Sequence, residues 1–313
     1  MYESAIKLIE KYDEIIIHRH SRPDGDAVGS QAGLAAVIRE NYPGKKVLCA
    51  GDPAGRYSFI PGSGTDGIGD GEYSRALGIL LDCSAASLVS DARVLGAKET
   101  LRIDHHLFVE KICSTEITDT SAESCCGMIC DLAAEADLSL TPDAATALYA
   151  GLVTDSGRFR YDSTGSATFL RAARLADAGA DIGRVYRELY AEKFENVKRR
   201  AEYILKIRFT PANTAYIYTT REELAASGAD PFAISRGMVG VMGDIRGVGV
   251  WVNFTATDGG ILCEIRSAEY NINPVAVKYG GGGHAKASGC TLRDEDEMRA
   301  LLADLDALQS GKE

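Results

Sequence analysis

The sequence predicts an α/β protein: an N-terminal doubly wound, mainly parallel sheet, then a smaller C-terminal α/β domain carrying a mixed sheet, with a helical linker between them. Three observations carry this expectation. Short, almost continuously apolar runs alternate with helical segments through the first half, as strands buried on both faces of a parallel sheet require. A long, charged helical pattern follows, including Glu192-Lys193-Phe194-Glu195-Asn196-Val197-Lys198-Arg199-Arg200. Beyond it, two alternating runs joined by Asp258-Gly259 read as a β-hairpin. The expected boundaries are 1–185 for the first domain, 186–209 for the linker and 210–313 for the second domain.

In chain order, strands are expected at Glu14–His18, Lys46–Ala50, Leu77–Leu81 and Thr100–Ile103. Helices are expected at Val28–Glu40, Ser121–Ala136, Pro142–Val153 and Ser166–Ala178. After the linker, Ala215–Thr219, Val248–Ala256 and Gly260–Ser267 read as strands. The stretch from Gly62 to Gly71 is rich in glycine but lacks the Gly-Lys-Ser/Thr ending of a phosphate-binding loop, so it reads as a flexible connection.

The chain has 313 residues, 45% hydrophobic and 25% charged, which suits a globular protein of two domains with a real core. No apolar run approaches the ~18 residues that a membrane span needs. The start, Met1-Tyr2-Glu3-Ser4-Ala5-Ile6-Lys7, lacks the basic-then-apolar layout of a secretory signal, so a cytoplasmic location is expected. None of the eight cysteines forms a Cys-x-x-Cys pair. Cys125, Cys126 and Cys130 read as small apolar filler in a helix rather than zinc ligands. The net charge of −11 argues against holding long nucleic acid on a broad basic surface, and no membrane partner is expected. It leaves open a small anionic substrate at a metal site, because divalent ions invert the local field.

The most informative residues are Asp104-His105-His106, which end the run Thr100-Leu101-Arg102-Ile103. A carboxylate and two imidazoles in succession are too polar for a strand interior but suit its exit. Similar segments recur: His20, Asp24 and Asp26 follow Glu14-Ile15-Ile16-Ile17, Asp82 follows Leu77–Leu81, and Asp155 follows Ala150-Gly151-Leu152-Val153. His284 follows Gly280, Gly281, Gly282 and Gly283, and four of the five histidines lie in these segments. Open parallel sheets bind ligands beyond the carboxyl ends of their strands, where these residues are expected. Asp24 and Asp26, two apart in an extended loop, would project to one side towards neighbouring ions; capping of the following helix is the competing reading. Oxygen-plus-imidazole ligation suits Mn²⁺, preferred here, with Mg²⁺ as the alternative. Four carboxylates (Asp24, Asp26, Asp82 and Asp155) would neutralise two divalent ions, so a phosphate needs further cations. The candidates are His106, Arg266, Lys286 and His284, then Arg158 and Arg160. Phe159, Tyr161 and Tyr270 could stack a base or pack in a core.

These residues resemble the four motifs of the DHH phosphoesterase superfamily, and Arg266-Ser267 with Gly280-Gly281-Gly282-Gly283-His284 resembles its C-terminal DHHA1 domain. The resemblance runs from about residue 14 to residue 290, and the two-domain length is similar to the NrnA-type subgroup of oligoribonucleases (nanoRNases) and 3′-phosphoadenosine 5′-phosphate phosphatases. It implies His20, Asp24 and Asp82 around one ion, and Asp26, Asp82, His105 and Asp155 around the other, with Asp82 bridging. It implies His106 facing the substrate phosphate, Asp104 supporting the imidazoles, and Arg266, Ser267, His284 and the glycine loop Gly281-Gly282-Gly283 holding the substrate. Closure of the second domain would complete the site.

The leading expectation is a metal-dependent hydrolase that releases mononucleotides from very short oligonucleotides and also dephosphorylates 3′-phosphoadenosine 5′-phosphate, working as a monomer or homodimer. Alternatives from the same superfamily are an inorganic pyrophosphatase and a phosphodiesterase acting on cyclic or linear dinucleotides. From another class, a nucleotide-binding regulator without turnover is the alternative, although sensing does not need a complete two-metal cage.

Overall fold

The computed structural model describes residues 1–311. It divides into two compact units, Met1–Ala191 and Glu192 onward. Among the described residues, no helix is long and apolar enough to cross a membrane.

The first unit runs α1 (Glu3–Lys11), β1 (Glu14–His18), α2 (Gly25–Asn41), β2 (Lys46–Cys49), α3 (Asp70–Tyr73), β3 (Leu77–Leu81), β4 (Glu99–Asp104), β5 (Thr115–Thr118), α4 (Cys125–Glu135), α5 (Pro142–Asp155), α6 (Ser166–Asp177) and α7 (Ile182–Tyr190). Its sheet has the order β2-β1-β3-β4-β5, with every pairing parallel. Leu77–Leu81 is buried throughout, as a strand covered on both faces must be. The strand order reverses beside β1, and the crevice between the ends of β1 and β3 is where such sheets bind ligands.

Close packing of α2 on α5 sets the geometry of that crevice. A Cβ on Gly29 would come within 2.5 Å of the Ala147 carbonyl, and one on Gly33 within 2.4 Å of Leu148. Only glycine lets the helices approach so closely. Gly25 meets Thr154 while Gly33 meets Leu148, so the two helices run in opposite senses. The first turn of α2 therefore lies beside the last turn of α5.

The second unit comprises α8 (Phe194–Ile204), β6 (Arg208–Phe209), β7 (Ala215–Thr219), α9 (Arg221–Ser227), α10 (Pro231–Val239), β8 (Val250–Thr257), β9 (Gly260–Ser267), α11 (Asn273–Lys278), β10 (Gly282–His284), β11 (Ala287–Leu292) and α12 (Glu295–Gln309). Its sheet, β10-β11-β9-β8-β7-β6, is mixed: β7 and β8 are parallel and the other pairs antiparallel. The hairpin turns at Asp258-Gly259, with Thr257 opposite Gly260. Val250, Val252, Phe254, Ile261 and Ile265 bury one face with Leu301 and Leu305 of α12.

Two local expectations change. The charged stretch at 186–209, read as one connecting helix, is divided: α7 ends at Tyr190, and Ala191 and Lys193 are extended before α8 begins. No proline or glycine marks that break, so composition could not reveal it. Asp26 does not lie in an extended loop but in the first turn of α2.

Candidate active site

In the first unit, three strand exits and two helix ends bring the polar residues together. His20 follows β1 and bridges to Val89. Its Nδ1 lies 2.8 Å from the Ser21 carbonyl, which fixes the ring and turns Nε2 inward. That Nε2 is 3.7 Å from Asp24 Oδ1 and 3.6 Å from Asp82 Oδ2. His105 repeats the arrangement, with Nδ1 3.3 Å from the Ala122 carbonyl. Its Nε2 is 3.3 Å from Asp155, 3.4 Å from Asp82 and 3.8 Å from Asp26.

Each carboxylate is fixed by its own backbone surroundings. Asp24 caps α2, accepting the Asp26 and Ala27 amides at 3.0 Å, and still faces His20. Capping and cluster membership are thus combined in one side chain. Asp26 accepts the Cys125 and Cys126 amides at 2.6 and 2.8 Å, and so caps α4 from a hundred residues away. Asp82 leaves β3 with a left-handed φ of 53°, held by its amide's bond to the Ile103 carbonyl. Its Oδ2 faces His20, while its Oδ1 faces His105 and, at 3.6 Å, His106. Asp155 ends α5 rather than a strand, which corrects the expectation of strand exits throughout. A carboxylate there also faces the negative end of the helix dipole.

Asp104 Oδ1 accepts from His106 Nδ1 at 2.7 Å, and behind it stands the fully buried Arg102. Arg102 donates to Glu116 at 3.1 Å and lies 3.9 Å from Asp104. Its role was missed from sequence, although an arginine inside an apolar strand was the available signal. His106 is the most open of these imidazoles, its side chain 45% exposed.

The carboxylates and imidazoles shift one another's protonation strongly. Burial, then Asp82, pushes the Asp26 carboxyl up, and burial with the charges of Asp26 and Asp82 does the same to Asp155. Burial would also raise Asp82, but His105 and His20 overcome it and hold that carboxyl well below its usual range. Burial disfavours charge on His20, yet Asp24 and Asp82 push it up to about 11. Hydrogen bonding to Asp104 raises His106.

The donor set fits divalent metal ions. His20, Asp24 and Asp82 offer ligand atoms within 4.8 Å of one another, as do Asp26, His105 and Asp155. Asp82 Oδ1 and His105 Nε2 are buried without a hydrogen-bond partner. Adjacent ligands on an octahedral ion stand about 3 Å apart, close to the 3.3–3.8 Å separations of the imidazole and carboxylate atoms.

The second unit holds a cavity of about 750 Å³, lined by Arg266, Gly281, Gly282, His284, Arg236 and Phe232 among others. Glycine is required at 281, where a Cβ would stand 2.1 Å from the Gly289 carbonyl. Gly283 has φ +139° and passes its carbonyl to Asn273. Arg266 donates to Glu264 at 3.2 Å, and Arg236 reaches the same carboxylate at 3.1 Å. The Ser267 hydroxyl is engaged locally, accepting the Glu269 and Tyr270 amides. Of the aromatic candidates, Phe159 packs against Phe169, with ring centroids 5.4 Å apart, whereas Tyr161 is exposed.

A parallel α/β unit whose carboxylates and imidazoles converge at the switch point, followed by a mixed α/β unit, is the layout of one class of proteins. Residues 14–152 match the DHH family, N-terminal domain, and residues 222–311 match the DHHA1 domain. The chain belongs to the DHH family. It is 34% identical over 311 residues to the bifunctional oligoribonuclease and PAP phosphatase NrnA of Bacillus subtilis, covering 98% of both chains. It is 32% identical to the protein of the same name from Mycoplasma pneumoniae, over 96% of this chain and 94% of that one. The crystal structure of an exopolyphosphatase-related protein from Bacteroides fragilis shares the fold, with a TM-score of 0.80 at 24% identity over 98% of this chain and 97% of that one.

Proposed function

We propose that this protein is a metal-dependent phosphoesterase that hydrolyses very short oligonucleotides to mononucleotides and removes the 3′-phosphate of 3′-phosphoadenosine 5′-phosphate. The observation that carries the reading is the cluster of His20, Asp24, Asp26, Asp82, His105 and Asp155, in a chain similar along its whole length to proteins named for both activities. In this reading His20, Asp24 and Asp82 hold one ion, and Asp26, Asp82, His105 and Asp155 hold the other, with Mn²⁺ preferred by this donor chemistry. Two bound ions would supply Lewis acidity and an acidified water for in-line attack at phosphorus.

The protein's own groups do the rest. Asp82 presents one oxygen to each half of the cluster and keeps both in register. Asp104 orients His106 and stabilises its protonated form, so that imidazolium donates to a phosphoryl oxygen. Within the second unit, Arg266, His284 and the amides around Gly281–Gly283 offer donors for the phosphate and polar groups of a nucleotide.

The test is a panel assayed with Mn²⁺ or Mg²⁺: di- to pentanucleotides of RNA and DNA, 3′-phosphoadenosine 5′-phosphate, linear and cyclic dinucleotides, and pyrophosphate. Turnover of dinucleotides and the bisphosphate that exceeds the rest is expected. Turnover of pyrophosphate or cyclic dinucleotides alone would sink the proposal.

A further inference from the structure

We propose that Arg56 and Arg158, backed by Tyr57 and Tyr190, form within the first unit a subsite for a second, non-scissile phosphate of the substrate. The inference rests on the function proposed above and adds what separates a bisphosphorylated nucleotide or an oligonucleotide from a simple phosphate ester.

Both guanidiniums are exposed, and each is carried on an aromatic face. Arg158 lies 4.3 Å from the centroid of Tyr190, and Arg56 lies 5.1 Å from that of Tyr57. Arg184 donates to the Phe59 carbonyl at 2.8 Å, which ties the Gly55–Tyr57 turn to α7, the helix that ends in Tyr190. Tyr190 feels the charge of both arginines. Burial raises the Tyr57 hydroxyl, and it feels both the charge of Arg56, which lowers it, and those of Asp24 and Asp155, which raise it. The cations therefore border the carboxylate cluster.

Among the described residues, neither arginine has a carboxylate partner. The chain has 45 acidic residues against 34 lysines and arginines, so partners are abundant and leaving two arginines unpaired beside an anionic centre is notable. A guanidinium held flat on a ring keeps its N–H fork for an outside oxyanion, and phosphate matches that fork.

The backbone makes the same point. Gly157, Arg158 and Phe159 are consecutive left-handed residues, with φ of 55°, 61° and 63°. L-residues avoid such runs, because Cβ then crowds the following carbonyl oxygen. This one is held by Arg158 N–H to the Val153 carbonyl at 2.9 Å and by Phe159 N–H to Ser156 Oγ at 3.1 Å. It reverses the chain directly after Asp155 and keeps Arg158 within roughly 10 Å of that carboxylate along the backbone. With the scissile phosphate at the cluster, the arginines suit the neighbouring phosphate: the 5′-phosphate of an adenosine bisphosphate, or the next phosphodiester of a short oligonucleotide.

The test compares the full-length protein with R56M/R158M, which keeps bulk and removes both charges, and with R56K/R158K. Binding of adenosine 3′,5′-bisphosphate and adenosine 3′-monophosphate is measured by calorimetry in EDTA, where turnover is stopped. Wild type should prefer the bisphosphate at least tenfold, the methionine variant twofold or less, and the lysine variant should recover part of the preference, with all melting temperatures alike. In Mn²⁺, KM for a dinucleotide should rise at least tenfold in the methionine variant, while hydrolysis of p-nitrophenyl phosphate stays at the wild-type rate. A preference that survives in R56M/R158M, or none in wild type (no binding of either ligand included), would overturn the subsite. Wild type that binds with this preference but turns over neither nucleotide would overturn the function and leave the subsite standing.

Discussion

The two candidate ligand-binding regions of this molecule are built by opposite means. At the switch point of the first unit, side chains do the work: Asp26, Asp82 and Asp104 are almost wholly buried, Asp26 and Asp104 are hydrogen-bonded, and Asp82 faces His105 at 3.4 Å. In the second unit the cavity is shaped by backbone, with Gly281–Gly283 at a sheet edge and only a few charged groups, which hold one another. The first arrangement concentrates like charges that repel until cations arrive. The second is close to electrostatic balance before anything binds. One region is thus specified by chemistry, the other by shape.

That contrast is breakable. Asp82→Ala removes the one carboxylate that faces both halves of the cluster, and should lower turnover by far more than the roughly 10–100-fold that supporting groups alone are worth. Circular dichroism should remain that of a folded protein, because Asp82 belongs to the polar cluster and the substitution leaves the apolar core untouched. Wild-type turnover in Mn²⁺ would end the two-ion reading.

Gly281→Ala should come next. Its Cβ cannot coexist with the Gly289 carbonyl and Cys290 in their present positions, so β10 must shift. We expect KM for nucleotides to rise about tenfold or more, with metal-dependent stabilisation unchanged. His284→Ala, which removes an exposed group without moving backbone, should raise KM several-fold and leave melting unaltered. If either second-unit substitution reduced metal binding in calorimetry, the division between chemistry and shape would be wrong.

The fold was legible where burial and period agree. Leu77–Leu81 is a continuous apolar run ending at Asp82, Ile15–Ile17 is one bounded by Glu14 and His18, and both strands have the expected limits. β5 was missed because Thr115–Thr118 contributes a single buried residue, Ile117, at the edge of the sheet. The residue types of the metal cluster were readable because carboxylates and imidazoles at the ends of apolar runs have few structural uses. What holds them was not readable. Asp26 depends on two cysteine amides brought close by α2–α4 packing, and no local spacing encodes a contact across a hundred residues. Arg56 was invisible for the same reason, since only the folded chain brings its charge to bear on Tyr190.

The smallest expected effect concerns the unmetallated centre. His20 is raised from 6.5 to about 11, so it contributes stability that is complete below pH 6.5 and fades as pH rises through about 11. His105 is raised by Asp82 and Asp26 once burial is overcome, and acts in the same direction. Asp155 and Asp26, raised by burial and mutual repulsion, add an ionisation penalty that grows as pH climbs above their ordinary range. Asp82 is depressed and opposes them only at the acid end, where its contribution disappears as pH falls. The melting temperature in EDTA should therefore decline from pH 6 to pH 9. The increment on adding Mn²⁺ should grow over the same range, because the ion needs these ligands deprotonated. Asp155→Asn removes one repelled carboxylate and should stabilise the EDTA-treated protein at pH 8 by about 1–2 kcal/mol, one unit of displaced pKa being worth about 1.4 kcal/mol, while weakening Mn²⁺ binding. A variant less stable than wild type in EDTA would mean that Asp155 is held by local bonds rather than opposed by its neighbours, and the cluster would then be a structural network instead of a cation trap.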